Sequence, residues 1–334
     1  MRKLLVAIFV IVMITTGIFA QGSQEKAKTY NLKFGSIWDD ADPSTVVMNK
    51  FGEFAEAKTD GAVKVTIYNN SQLGNLNDML SGMRAGTIEM LHTRISTYGF
   101  LEGASMFNVC SAPFLWDNYE ELEAFLRSDA AQKWFDDAAA KTGVRVMLAK
   151  GDTEARQLSS NKAIHNASNF QGLKIRTAES VVVQSVMKAL GAQPIVIPFN
   201  DLYLALKQNT VDAQENGFIT IKNRSFFEVQ DYLMKTDYIR DIAIFCISES
   251  IWQSMSADMK AQLVAAASEA AEIGTTMTRS TIDDALEYLK TKMTYVDIDI
   301  KSVQDKLGNV YEQLDGQAWA KGAYAEVKAF KDSN

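Results

Sequence analysis

Apolar and polar residues alternate over 31–36 and again over 63–68, the period of a strand with one buried face. Between them Val46, Val47, Phe51, Phe54 and Ala55 recur at helical spacing behind Asp42-Pro43, a cap followed by a first-turn proline, and Gly61 closes that helix. The same alternation continues with a helix at 77–85, a strand at 88–91, helices at 118–127 and 130–141, and a strand at 144–149. A second series predicts strands at 172–176, 193–197 and 212–215 between helices at 181–190, 202–208 and 220–227, then an apolar strand at 238–247. From Ser256 to about Met293 the pattern is helical, interrupted only by Gly274, and 303–330 forms another amphipathic helical stretch. Strands and helices in alternation imply an α/β fold with largely parallel sheets. A helix of that length has to run along more than one lobe, since each residue adds about 1.5 Å.

The 334 residues exceed one ordinary core, which also favours two lobes. With four prolines and no low-complexity run, no flexible linker stands out, so the lobe crossings are expected at strands or helix ends. A net charge of −7 argues against a nucleic-acid binder, although a local arginine cluster can still set the field in a cleft. At the N-terminus Arg2 and Lys3 precede an apolar run, 4–14, too short to span a bilayer comfortably. Residues 1–20 therefore read as a signal peptide cleaved near Ala20, with 21–29 as a flexible leader and an exported mature chain. No cysteine stands at the expected cut to carry a lipid. Cys110 and Cys246 lie in apolar runs; buried thiols are favoured over a bridge between them.

Catalytic and metal constellations are missing. Only two histidines are present, without zinc or EF-hand spacing, and no nucleophile elbow, phosphate loop or dinucleotide turn appears. His165 lies in a polar turn and reads as a surface residue. His92 ends a predicted strand beside Arg94, where α/β folds place ligand contacts, although an uninvolved position is the favoured reading for it. No cofactor is expected.

Two arginines twenty residues apart carry the most information: Arg156 in Glu-Ala-Arg-Gln-Leu-Ser-Ser-Asn and Arg176 in Gly-Leu-Lys-Ile-Arg. A guanidinium suits a carboxylate because its planar fork makes two parallel charge-assisted hydrogen bonds. They are followed by Pro198-Phe199-Asn200-Asp201-Leu202-Tyr203 and then by Asp212-Ala213-Gln214-Glu215-Asn216. This ordered set resembles the ligand-binding half of the extracytoplasmic solute receptors of TRAP transporters (tripartite ATP-independent periplasmic transporters).

The resemblance implies a two-lobed periplasmic-binding-protein-like α/β fold with a long helix bracing both lobes. Lobe I would comprise 30–153 and 242–281, and lobe II 154–241 and 282–334. It implies that Arg176 makes the bidentate bridge to a ligand carboxylate, and that Arg156 and Asn216 also face the ligand. Phe199 would pack on the ligand's apolar face or in the core, while Glu215 and Gln214 would hold Asn216 and the arginines in place. Ala213 and Gly217 depart from the family's usual glycine and proline. In lobe I, Asn75 of the Gln-Leu-Gly-Asn turn would reach a ligand hydroxyl, with Trp38 and Asp39 nearby after the first strand. Arg94 stands where sialic-acid receptors carry an acidic residue, which argues against that ligand.

The resemblance thus implies a periplasmic receptor, not an enzyme. It would be a monomer that delivers a small organic acid to a TRAP membrane permease. Its expected ligand is an acidic sugar, either a uronate or a keto-sugar acid. A C4-dicarboxylate, with Arg94 on the second carboxylate, and a sialic-acid-type ligand are the alternatives. An exported sugar-acid enzyme is the competing class, and it would need an acid/base carboxylate pair in the same cleft.

Overall fold

The computed structural model describes residues 28–333. The expected signal peptide and its cleavage point lie outside the described residues. Among those described, no helix is long and apolar enough to cross a membrane.

Among the described residues eleven strands form two sheets. β1 (Tyr30–Gly35), β2 (Val63–Tyr68), β3 (Met90–Arg94), β4 (Val144–Asp152) and β10 (Ile242–Ser248) make the first, in the order β2-β1-β3-β10-β4. The second runs β11-β9-β5-β8-β6-β7, with β5 at Gln157–Ser160, β6 at Lys174–Thr177, β7 at Gln193–Val196, β8 at Ala213–Asn216, β9 at Tyr232–Met234 and β11 at Thr294–Val296. Each sheet with its helices is one lobe.

The sheets are mixed instead of largely parallel, and the exceptions have one cause. β1 pairs in parallel with β2 and β3, and β6 with β7 and β8, as strand–helix–strand connections require. β10 is antiparallel to β3 and β4, and β5 is antiparallel to β8 and β9. β5 and β10 are the first strands after the chain crosses between lobes, through 153–156 and 235–241. A strand arriving from the other lobe starts at the cleft and runs away from it, opposite to strands that end there.

Asp42 caps the Pro43–Lys58 helix, its carboxylate accepting from Ser44 N at 2.8 Å. That helix and the first half of the Ala257–Lys290 helix cover the first sheet, burying Phe34, Met48, Phe51, Phe245, Leu263 and Ala267 in one cluster. The second half of the long helix turns Ala285 and Leu289 into a cluster with Leu202, Phe218 and Phe226 of the other lobe. Gly274 does not interrupt it. The helix is continuous for 34 residues, and a Cβ at Gly274 would collide with Val47 Cγ2, so the glycine lets two helices pack closely.

The C-terminal stretch is broken into Ile300–Leu307, Val310–Leu314 and Ala323–Ser333. Gly308 and Gly316, both at positive φ, stand at the two breaks. The last helix returns to the first lobe, which corrects the expectation of 282–334 as second-lobe only. Its Glu326 accepts from Trp134 Nε1 at 3.0 Å, and Phe330 packs edge-on against Phe125. Both cysteines are buried and free.

Candidate functional site

The parallel strands of both sheets end at the cleft and the two crossing strands begin there. Between them lies a cavity of about 110 Å³. That is room for several waters, and so for one small polar ligand. The chain after β1 brings Trp38, the end of β3 brings Arg94, and the segment after β6 brings Glu179 and Ser180. Arg156 and Asp241 stand one residue before β5 and β10.

Arg176 is buried at the third position of β6, opposite Ile195 of β7. Its Nε donates to the Ile197 carbonyl at 2.8 Å, which orients the fork. Among the described residues, no carboxylate lies within ion-pair distance and neither terminal nitrogen has a hydrogen-bond partner. Burial, with Arg156 adding repulsion against some relief from Glu215, pushes this guanidinium down to about 10. Phe199 lies 6.0 Å from it, ring centroid to guanidinium carbon.

Arg156 differs. Its fork is taken by Glu215 through both carboxylate oxygens, and Nη2 also donates to the Glu215 carbonyl at 2.6 Å. Burial works against its charge, but Glu215 more than compensates and holds its pKa above the ordinary value. Tyr238 Oη donates to the same Glu215 carboxylate at 2.7 Å. Asn216 donates to Gln214 Oε1 at 2.6 Å, and Gln214 donates in turn to Ser159 at 2.7 Å. The register Gln157↔Asn216 and Leu158↔Glu215 between β5 and β8 brings this network together.

Gly217 has a local reason. Glu154 accepts from Ile219 N at 2.5 Å, from Thr220 N at 2.9 Å and from the Thr220 hydroxyl, satisfying the start of the Phe218–Asn223 helix. A Cβ on residue 217 would overlap that carboxyl group.

On the first-lobe side, Arg94 stacks over the Trp38 ring at 4.4 Å, and Trp38 meets Phe199 edge-on at 5.7 Å. Asn75 lines the cavity, but its carbonyl oxygen caps the Leu76–Ala85 helix by accepting from Asp78 N at 3.0 Å. Of the sequence-derived candidates, Arg176, Arg156, Asn216, Phe199, Asn75, Arg94, Trp38 and Glu215 converge on this cavity.

Two do not. His92 points to the other face of β3, wedged edge-on between Phe34 and Phe245 at 6.1 and 5.0 Å. The strand's two-residue period explains this: Leu91 and Thr93 face one way, Met90 and His92 the other. Burial, with Arg94 adding repulsion, drives the His92 imidazole down to about 3. Asp39 sits outside the cavity at the rim, paired with Arg224 at 3.0 Å. His165 is exposed, as expected.

Sequence reasoning missed Arg224, Asp241 and Ser111. Arg224 of the second lobe reaches Asp39, Asn70 Oδ1 at 3.2 Å and the Ile37 carbonyl at 2.9 Å, all in the first lobe. Ser71 donates to Asn200 at 3.1 Å, and Asn77 bonds Glu179, so the rims are joined and the cleft is closed. Asp241 directly precedes the apolar run of β10, a signal that it starts a strand at the cleft.

Two lobes with a polar, arginine-lined cavity between closed rims define a solute-binding protein. Residues 34–317 match the family described as bacterial extracellular solute-binding protein, family 7. The chain belongs to that family, whose members are receptors and not enzymes. It is 28% identical over 306 residues to the 2,3-diketo-L-gulonate-binding periplasmic protein of Escherichia coli, covering 89% of this chain and 91% of that one. It is 29% identical over 261 residues to the C4-dicarboxylate-binding periplasmic protein of Rhodobacter capsulatus, covering 78% and 77%. A solved TRAP periplasmic solute-binding protein from Roseobacter denitrificans, with bound L-galactonate, superposes with a TM-score of 0.83 at 24% identity, over 91% of this chain and 99% of that one.

Proposed function

We propose that this protein captures an acidic sugar by its carboxylate between two closing lobes and hands it to a TRAP-type membrane permease. The observation that carries this reading is Arg176: a buried guanidinium, oriented by Ile197, with no anionic partner among the described residues. A desolvated cation without a counterion is costly, and a carboxylate accepting from both terminal nitrogens relieves that cost. Arg156 and Asn216 lie beside it, held by Glu215 and Gln214, and Phe199 with Trp38 walls the apolar side. The sugar-acid relatives, the diketogulonate receptor and the galactonate-bound structure, agree with this ligand class. On this reading the mature chain works as a periplasmic monomer after cleavage near Ala20. The lobes divide at 153–156, at 235–241 and within the long helix. Closure is a population shift, favoured by a ligand that touches both lobes at once.

The test is calorimetry with four solutes side by side: L-galactonate, glucuronate, glucose and succinate. Sugar acids should bind and glucose should not. Tight binding of glucose, or no binding of either sugar acid, overturns the reading; succinate binding more tightly than both moves it to the dicarboxylate alternative.

A further inference from the structure

Within this cavity two side chains on the first-lobe side each carry a polar atom that the described residues leave unpaired. Asp241 is 2% exposed and Ser111 is 2% exposed. Asp241 Oδ1 accepts from Ile242 N at 2.9 Å and Ser96 N at 3.3 Å, while among the described residues neither Oδ2 nor Ser111 Oγ has a partner. Both residues line the same cavity as Arg176. A buried carboxylate oxygen and a buried hydroxyl left unpaired are expensive, and such groups usually mark where a ligand bonds.

Charge decides what kind of ligand group fits. Burial raises the Asp241 carboxyl pKa against the field of Arg94, and its free oxygen offers an acceptor to a hydroxyl while giving a second carboxylate no cation to pair with. Arg94, the cation that could have held a second carboxylate, stands among the buried carboxyls of Asp42, Glu154 and Asp241; burial raises the pKa of each, and the field of Arg94 opposes that rise without cancelling it. Among the described residues neither Arg176 nor Arg94 has a carboxylate at ion-pair distance, but three buried carboxyls share the Arg94 end, which therefore favours neutral donors over a second anion.

We infer that Asp241, with Ser111, is the specificity determinant of this cavity: it accepts from a hydroxyl remote from the carboxylate and selects a polyhydroxy monocarboxylate over a dicarboxylate. This rests on the sugar-acid reading of the same site, and it assigns the discrimination to residues outside the arginine cluster.

The experiment measures the dissociation constants of L-galactonate and succinate for the wild type, Asp241→Asn and Ser111→Ala. Asparagine keeps a carbonyl for Ser96 and Ile242 but removes the charge. In Asp241→Asn, galactonate should weaken about ten- to a hundred-fold, the loss of a charge-assisted hydrogen bond, while succinate stays constant or tightens. Ser111→Ala should weaken galactonate several-fold and leave succinate unchanged. If Asp241→Asn fails to fold, the Ser111→Ala pair decides. An unchanged galactonate-to-succinate ratio in the folded variants, or an equal loss for both ligands, overturns the inference while leaving the sugar-acid reading intact. Failure of the wild type to bind either galactonate or glucuronate overturns both.

Discussion

On the second-lobe face of the cavity, Arg156, Arg176, Glu215 and Asn216 sit in or beside strands, held by partners of their own lobe or the crossing segment. On the first-lobe face the groups come from a loop, a helix cap, a strand end and the start of the returning strand. They lean on one another, as Arg94 does on Trp38, or on the opposite lobe, as Trp38 does on Phe199. One face is held by its own lobe and the crossing segment; part of the other, Trp38 above all, is completed by contact across the cleft. The second lobe should therefore set whether an anion binds, and the first lobe which anion and how firmly the rims stay shut.

The sharpest way to break this comparison is to treat the two second-lobe arginines separately. Arg156→Ala leaves Glu215 buried and unpaired, and should cost about 3–5 kcal/mol of folding stability, measured by chemical denaturation. Arg176→Ala removes a cation that has no anionic partner among the described residues. Its apo stability should hold or rise, while ligand binding drops by roughly 2–5 kcal/mol by calorimetry. Arg176→Lys should not recover all of it, because the planar fork is lost. Equal stability losses for both alanine variants would mean that Arg176 is also framework.

A smaller effect is expected at the rim. Arg224 and Asp39 are each 22% exposed in their side chains, so solvent screens the pair and the contact is modest. With its two further hydrogen bonds, Arg224→Ala should lower the closed population by about 1–2 kcal/mol. Distance measurements between labels on the two lobes should show a more open apo state, and the ligand should dissociate faster. An unchanged distance distribution would remove Arg224 from closure.

The smallest effect lies behind the first-lobe face. His92 stays neutral in the fold to about pH 3, whereas in the unfolded chain it takes up a proton near pH 6.5. Its contribution is thus fully present above pH 6.5 and is lost as pH falls towards 3, at up to about 1.4 kcal/mol per pH unit. His92→Phe, which keeps an aromatic ring between Phe34 and Phe245, should flatten the stability–pH curve in that window. An unaltered slope would show that His92 does not titrate against folding.

Local chemistry made much of this legible in the sequence. Asp42-Pro43 caps a helix because a carboxylate and a proline suit a helix start whatever surrounds them, and the arginine motif places Arg176 on a short strand. What stayed hidden depends on chain segments far apart. β5, β9 and β11 are only four, three and three residues long, too short for alternation to register. His92 was drawn to the cleft by its position at a strand end, yet the pleat sent it to the opposite face. Arg224 reads as a surface arginine until Asp39, 185 positions away in sequence, is folded against it.

One side chain ties the crossing between lobes to the rim. Glu154 lies in the 153–156 crossing and grips the first turn of the Phe218–Asn223 helix; Arg224, the residue after that helix, holds the first lobe at Ile37, Asp39 and Asn70. The helix is a crank arm about 9 Å long, fixed to the pivot at one end and carrying the catch at the other. A twist of the pivot would be carried along this arm to the catch, so opening is expected to begin at both places together.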